Sequence, residues 1–199
     1  MMNAARYSSG VPFADFVDHA TKYEELWRIG WKHASVPAEL VAELVDVRGP
    51  LHLVNLNEDW CFDAISTTPA IAKLAELLPC ADLRVFGRDT HLDLMDAHLS
   101  GPEGKSRAIP VVIVYDDQWR ERGWWGSRPG PLQEWVEREG PKLEKAEKYR
   151  YIRQWYARDH ARTTLREIAD LLLRCARDVS ADTGTGTPLA CMERTPTAR

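Results

Sequence analysis

The chain has 199 residues, 44% hydrophobic and 28% charged, which is enough apolar material for a core that needs no disulfide staple. Its formal net charge of −4 lacks the basic excess of an obligate nucleic-acid binder. No apolar run approaches the ~18 residues of a membrane helix. Met1 to Pro12 has no charged segment leading into an apolar one, so no secretory signal is expected. From these features a cytoplasmic chain is expected, with one domain over 1–178 followed by a disordered Thr/Gly/Pro-rich tail over 179–199.

Phe13 to Trp31 reads as a first helix, with Phe13, Phe16, Val17, Ala20, Tyr23 and Trp27 at 3–4 spacing. A short helix follows Pro37, and Leu51 to Leu56 is a buried strand. Asn57 to Cys61 leads into a helical stretch reaching about Leu78. Asp82 to Gly87 is a second strand, and Leu92 to Leu99 another helix. Val111 to Tyr115 is the most β-branched run, Asp116-Asp117 makes a turn, and Trp119 to Trp125 pairs back as a hairpin. From Pro131 the pattern is helical, with one long segment from Lys142 to about Arg177.

Strand, helix, strand, helix and hairpin describe an α/β fold: a central mixed sheet of about four strands with helices on both faces. The core spans about 51–140, with helical additions at 13–49 and 141–178. From Pro141 to Asp178, ten Lys/Arg stand against six Asp/Glu. Such a segment is either a solvated helix face or a surface for an acidic partner.

The cysteines at 61, 80, 175 and 191 form no CxxC and no metal-ligand pattern, so no metal site is expected. The histidines are scattered without the spacing of a hydrolytic triad.

Three features occur in order. A strand runs into Trp60-Cys61 at a helix start, Pro69 lies eight residues further on, and Ile109-Pro110 leads into the β-branched strand. In this the chain resembles the thioredoxin superfamily, over roughly Leu51 to Val136. It is most similar to bacterial thioredoxin-like proteins with a single-Cys Asp-Trp-Cys-x-Asp-Ala site, here Asp59-Trp60-Cys61-Phe62-Asp63-Ala64, and with Gly-Trp-Trp-Gly, here Gly123 to Gly126. The resemblance implies a thioredoxin-like fold, a cis-proline at Pro110 and a substrate groove bordered by Trp60, Ile109, Pro110, Gly126 and Arg128. It implies Cys61 as the reactive residue. Ala64 stands where the resolving Cys belongs, Asn55 where the family has a buried Asp, and Val85 near its usual Lys.

One sulfur cannot close a disulfide alone, so a dithiol cycle at this site is excluded. The helix dipole favours a Cys61 thiolate, whereas Glu58, Asp59 and Asp63 oppose it; among them Asp59 and Asp63 are taken as modulating groups. Cys80 is out of reach as a resolver and Cys175 belongs to an apolar stripe, whereas Cys191, in the tail, stays open as one that can swing to Cys61. Two readings follow. The first is a monothiol thiol–disulfide oxidoreductase, whose partner is a protein or low-molecular-weight thiol or disulfide. It needs no bound cofactor, glutathione or a partner thiol serves as co-substrate, and Arg128 offsets the acidic cluster, holds a glutathione carboxylate or is a solvated loop arginine. The second is a non-catalytic module that binds a protein or peptide in the groove.

Overall fold

The computed structural model describes residues 1–183 other than 45, 46, 48, 102 and 103. The N-terminal additions are α1 (Ala4–Ser8), β1 (Val11–Pro12), α2 (Phe13–Asp18), α3 (Glu24–His33) and α4 (Ala38–Leu44). The central elements are β2 (Leu51–Asn57), α5 (Phe62–Leu77), β3 (Ala81–Gly87), α6 (Leu92–Ala97), β4 (Val111–Tyr115) and β5 (Glu121–Gly126). α7 (Gly130–Arg138), a 3-10 turn (Gly140–Lys142), α8 (Lys145–Asp159) and α9 (Arg162–Thr183) follow.

The sheet has five strands, not about four, in the order β1-β3-β2-β4-β5. The extra strand is Val11–Pro12, antiparallel to Val85 and Arg84 at the sheet edge. An edge suits Pro12, which has no N–H to give to a ladder. β2 and β3 run parallel, joined through α5, while β4 is antiparallel to both β2 and β5. All five residues of β4 are buried. Because successive strand side chains point to opposite faces, both faces of the sheet are covered.

Two expected helices divide. The stretch from Phe13 to Trp31 is split before Tyr23, which adopts φ 54° at the start of α3. The expected segment from Lys142 to Arg177 breaks at His160 and Ala161, with φ 52° and 58°. This break turns α9 back onto β5 and α5. α9 continues to Thr183, so the start of the expected tail at 179 is helical. The rest of that segment, with Cys191, lies outside the described residues.

Trp27 fixes the N-terminal helices against the strand-to-helix loop that holds Cys61. Its ring is fully buried and meets Phe16 edge-on at 5.1 Å. Its indole N–H donates to the Asp59 carbonyl at 2.9 Å. α8 belongs to a separate small core, where Ile152 and Tyr156 pack on Leu132 and Val136 of α7, and Trp135 stacks on Tyr151 at 3.6 Å. Among the described residues no helix is long and apolar enough to cross a membrane.

Trp27→Ala is expected to lower unfolding stability by about 3–5 kcal/mol in a denaturant titration, the usual result of emptying a large buried aromatic site. Leu26→Ala on the exposed side of the same helix should change it by less than about 1 kcal/mol.

Candidate functional site

Cys61 is the residue at which the chain leaves its extended course and enters α5. It holds extended dihedrals, φ −87° and ψ 113°, while its carbonyl already accepts the N–H of Ile65 at 3.0 Å. The loop before it is held from two sides. The Asp59 carboxylate accepts the backbone N–H groups of Thr21 and Lys22 at 2.8 and 2.9 Å, and Glu58 accepts the N–H of Asp89 at 3.0 Å. Two of the three nearby carboxylates are therefore engaged away from the sulfur.

The third turns inward. Asp63, the second residue of α5, is buried and lies between two groups far away in sequence. Arg128 Nη2 donates to Asp63 Oδ2 at 2.5 Å, and the Tyr156 hydroxyl donates to Oδ1 at 2.9 Å. Arg128 also donates to Gln133 Oε1 at 3.2 Å. Burial works against the Arg128 charge, but Asp63 outweighs it by charge and hydrogen bond and holds the guanidinium protonated. Burial, with Asp63 adding to it, drives the Tyr156 hydroxyl well above the ordinary tyrosine range.

The Cys61 thiol is only 7% exposed and donates to the Ile109 carbonyl at 3.4 Å. The Ile109–Pro110 peptide bond is cis. Burial pushes the thiol pKa up to about 11, and the Asp63 charge adds to the rise. The N–H groups of Ala64 and Asp63 and the charge of Arg128 pull the other way and do not prevail. The sequence left the sign of this shift open; the inward turn of Asp63 and the cover over the sulfur decide it. At neutral pH the thiolate is then a fraction on the order of one in ten thousand. Asn55, paired in register with Val85, is fully buried and gives its amide to the Val111 carbonyl at 3.4 Å. Neither of these positions provides a carboxylate or amine for proton transfer.

Trp60, Cys61, Asp63, Ile109 and Arg128 line one cleft of about 750 Å³. Pro110 and Gly126 do not line it. They pack behind it, where a Cβ on Gly126 (φ 156°) would fall 2.6 Å from the Pro110 carbonyl oxygen. That close approach, with the positive φ, requires glycine. Asp59 lies beside a second hollow with Asp15 and His19. The far wall of the main cleft is α8, which contributes Lys145, Tyr149, Arg153 and Tyr156, and Arg88 and Phe62 complete the rim. These residues were not singled out in sequence as site residues. The α8 periodicity was visible, but it reads equally well as a core stripe. Among the described residues no group of three or more His, Cys, Asp or Glu is placed to hold a metal ion.

A parallel β2–β3 pair, an antiparallel hairpin and a cysteine at the start of the connecting helix, facing a cis-proline, define a thioredoxin-like protein. The chain belongs to the thioredoxin family, whose family model matches residues 10–148. Among solved structures, it is similar to a protein of unknown function from Pseudomonas aeruginosa, with a TM-score of 0.67 and 20% identity over 86% of this chain and 98% of that one. It is also similar to an HIV epitope-scaffold, with a TM-score of 0.62 and 18% identity over 86% and 98%. At these identities the likeness shows the fold alone. No curated protein matches the sequence.

Alkylation followed at the Cys61 peptide by mass spectrometry should show a reactivity midpoint near pH 11, since the neutral thiol is the favoured form below it. At neutral pH the rate should be at least about 30-fold below that of a free cysteine. A midpoint at or below about 8.5, the free-thiol value, contradicts this assignment.

Proposed function

We propose that the chain is a non-catalytic thioredoxin-fold module that binds a protein or peptide segment in the cleft between the start of α5 and α8. The observation that carries this reading is the state of Cys61: a covered thiol that donates to Ile109 and is held protonated. In this role the sulfur fixes the loop before Pro110 against α5. The absence of a second cysteine at Ala64 agrees with it. So does the anchoring of α8, the far wall of the cleft, to Asp63 through Tyr156.

The second reading, a monothiol oxidoreductase, draws support from one observation, the place of Cys61 on the cleft wall at a helix start. In that chemistry the thiolate attacks one sulfur of a mixed disulfide and expels the other as a thiolate. A second thiol, glutathione or a partner's, then resolves the new bond. Asp63 offsets the Arg128 charge that a glutathione carboxylate would need.

Reduction of a glutathione mixed disulfide separates the readings. The protein and its Cys61→Ser variant are expected to give the same background rate. A rate well above background that disappears in Cys61→Ser would establish turnover and remove the non-catalytic assignment.

A further inference from the structure

We propose that the cleft beside Cys61 takes an extended acidic peptide, with two carboxylates four residues apart and an apolar side chain midway between them. The inference deepens the binding reading above and rests on it.

Charge gives the class of ligand. Four cations line the cleft, Arg88, Arg128, Lys145 and Arg153, against the single carboxylate of Asp63. Asp63 is neutralised by Arg128, and Arg88 is paired with exposed Asp89 at 2.8 Å. Lys145 and Arg153 stand exposed on α8 with no carboxylate partner among the described residues. Two cations at the edge of a cleft that holds no unneutralised anion favour a negatively charged occupant.

Apolar surface gives the middle of the ligand. Trp60, Phe62 and Tyr149 are 43%, 37% and 43% exposed, and all three border this cleft. Large side chains left exposed together around a concavity mark a binding surface. The Arg88 guanidinium lies 4.9 Å from the Trp60 ring and holds it at the rim.

Spacing gives the shape. Lys145 and Arg153 are eight residues apart on α8, about 12 Å at 1.5 Å per residue. Tyr149 lies between them on the same face, at i+4 from each. One carboxylate or phosphate headgroup cannot meet both cations across that ring. In an extended peptide, residues i and i+4 point the same way about 13 Å apart, with i+2 between them on the same side. Two acids at i and i+4 then face Lys145 and Arg153, and an apolar residue at i+2 faces Tyr149 and Trp60.

The test is fluorescence anisotropy with a dye-labelled, end-capped Glu-Ser-Phe-Ser-Glu peptide. Comparison peptides are Lys-Ser-Phe-Ser-Lys and Glu-Ser-Ser-Ser-Glu, with phenylacetate as a single-anion competitor. The acidic aromatic peptide should bind at least about tenfold tighter than either comparison peptide and than phenylacetate. Raising salt from about 50 to about 200 mM should weaken it severalfold in the unmodified protein, which needs no variant to fold. The double variant Lys145→Glu, Arg153→Glu, altered only at exposed positions, should lose at least about tenfold in affinity while its melting curve stays unchanged. Equal or tighter binding of the basic peptide overturns the charge class and leaves the cleft as a binding site. Phenylacetate binding as tightly as the peptide overturns the extended ligand in favour of a single-anion site. If no peptide binds at millimolar concentration, both the inference and the binding reading fail.

Discussion

The inward turn of the Asp63 carboxylate is the constraint around which this site is organised. A first-turn carboxylate on a helix ordinarily faces solvent, near the free N–H groups. Here it is buried and joins three separate parts of the fold: α5, the segment after β5 through Arg128, and α8 through Tyr156. Removing Arg128 from this buried carboxylate is strongly unfavourable, on the order of 3–5 kcal/mol, because a charge is left alone. The same carboxylate sits close enough to Cys61 to oppose its ionisation. One side chain thus docks the added helix and quiets the thiol. Ala64 leaves no second cysteine in the first turn of α5, and Cys61 there is a covered sulfur next to a buried ion pair.

Much of the fold was legible in the sequence because its strands are unambiguous. Leu51 to Leu56 and Val111 to Tyr115 are short, apolar and β-branched, and they occupy β2 and β4. Cys61 at the start of α5 was equally clear from the strand before it and the apolar stretch after it. The fifth strand was not, because Val11–Pro12 is two residues long and is a strand only by pairing with β3. The helix breaks at Tyr23, His160 and Ala161 carry no glycine, asparagine or proline. Positive φ at Tyr23 and Ala161 is imposed by tertiary packing and leaves no local signal, and His160, a residue type that tolerates it, gives only a weak one.

The site was legible only in part, for a related reason. Trp60, Ile109 and Arg128 were placed beside Cys61 by resemblance to a fold in which those positions converge, and Asp63 by its nearness in sequence; these share one cleft, which Pro110 and Gly126 do not line. The interactions that govern the chemistry join residues 65 and 93 positions apart, Arg128 and Tyr156 with Asp63. No spacing rule reaches that far. Whether a carboxylate faces solvent or a buried arginine depends on how the segment after β5 and α8 pack over it, and those contacts are long-range. The sign of the Cys61 shift was therefore open until the path of α8 was known.

The most direct measure of Asp63 acting on the sulfur is the alkylation rate at the Cys61 peptide as a function of pH, followed by mass spectrometry in Asp63→Asn and in the parent protein. The circular-dichroism spectrum of each identifies the folded species. With the carboxylate charge removed and Arg128 still beside the thiol, the Cys61 midpoint should fall clearly below its value of about 11 in the parent protein. A folded variant whose midpoint is unchanged or higher would contradict the claim that this buried carboxylate adds to burial in raising the thiol.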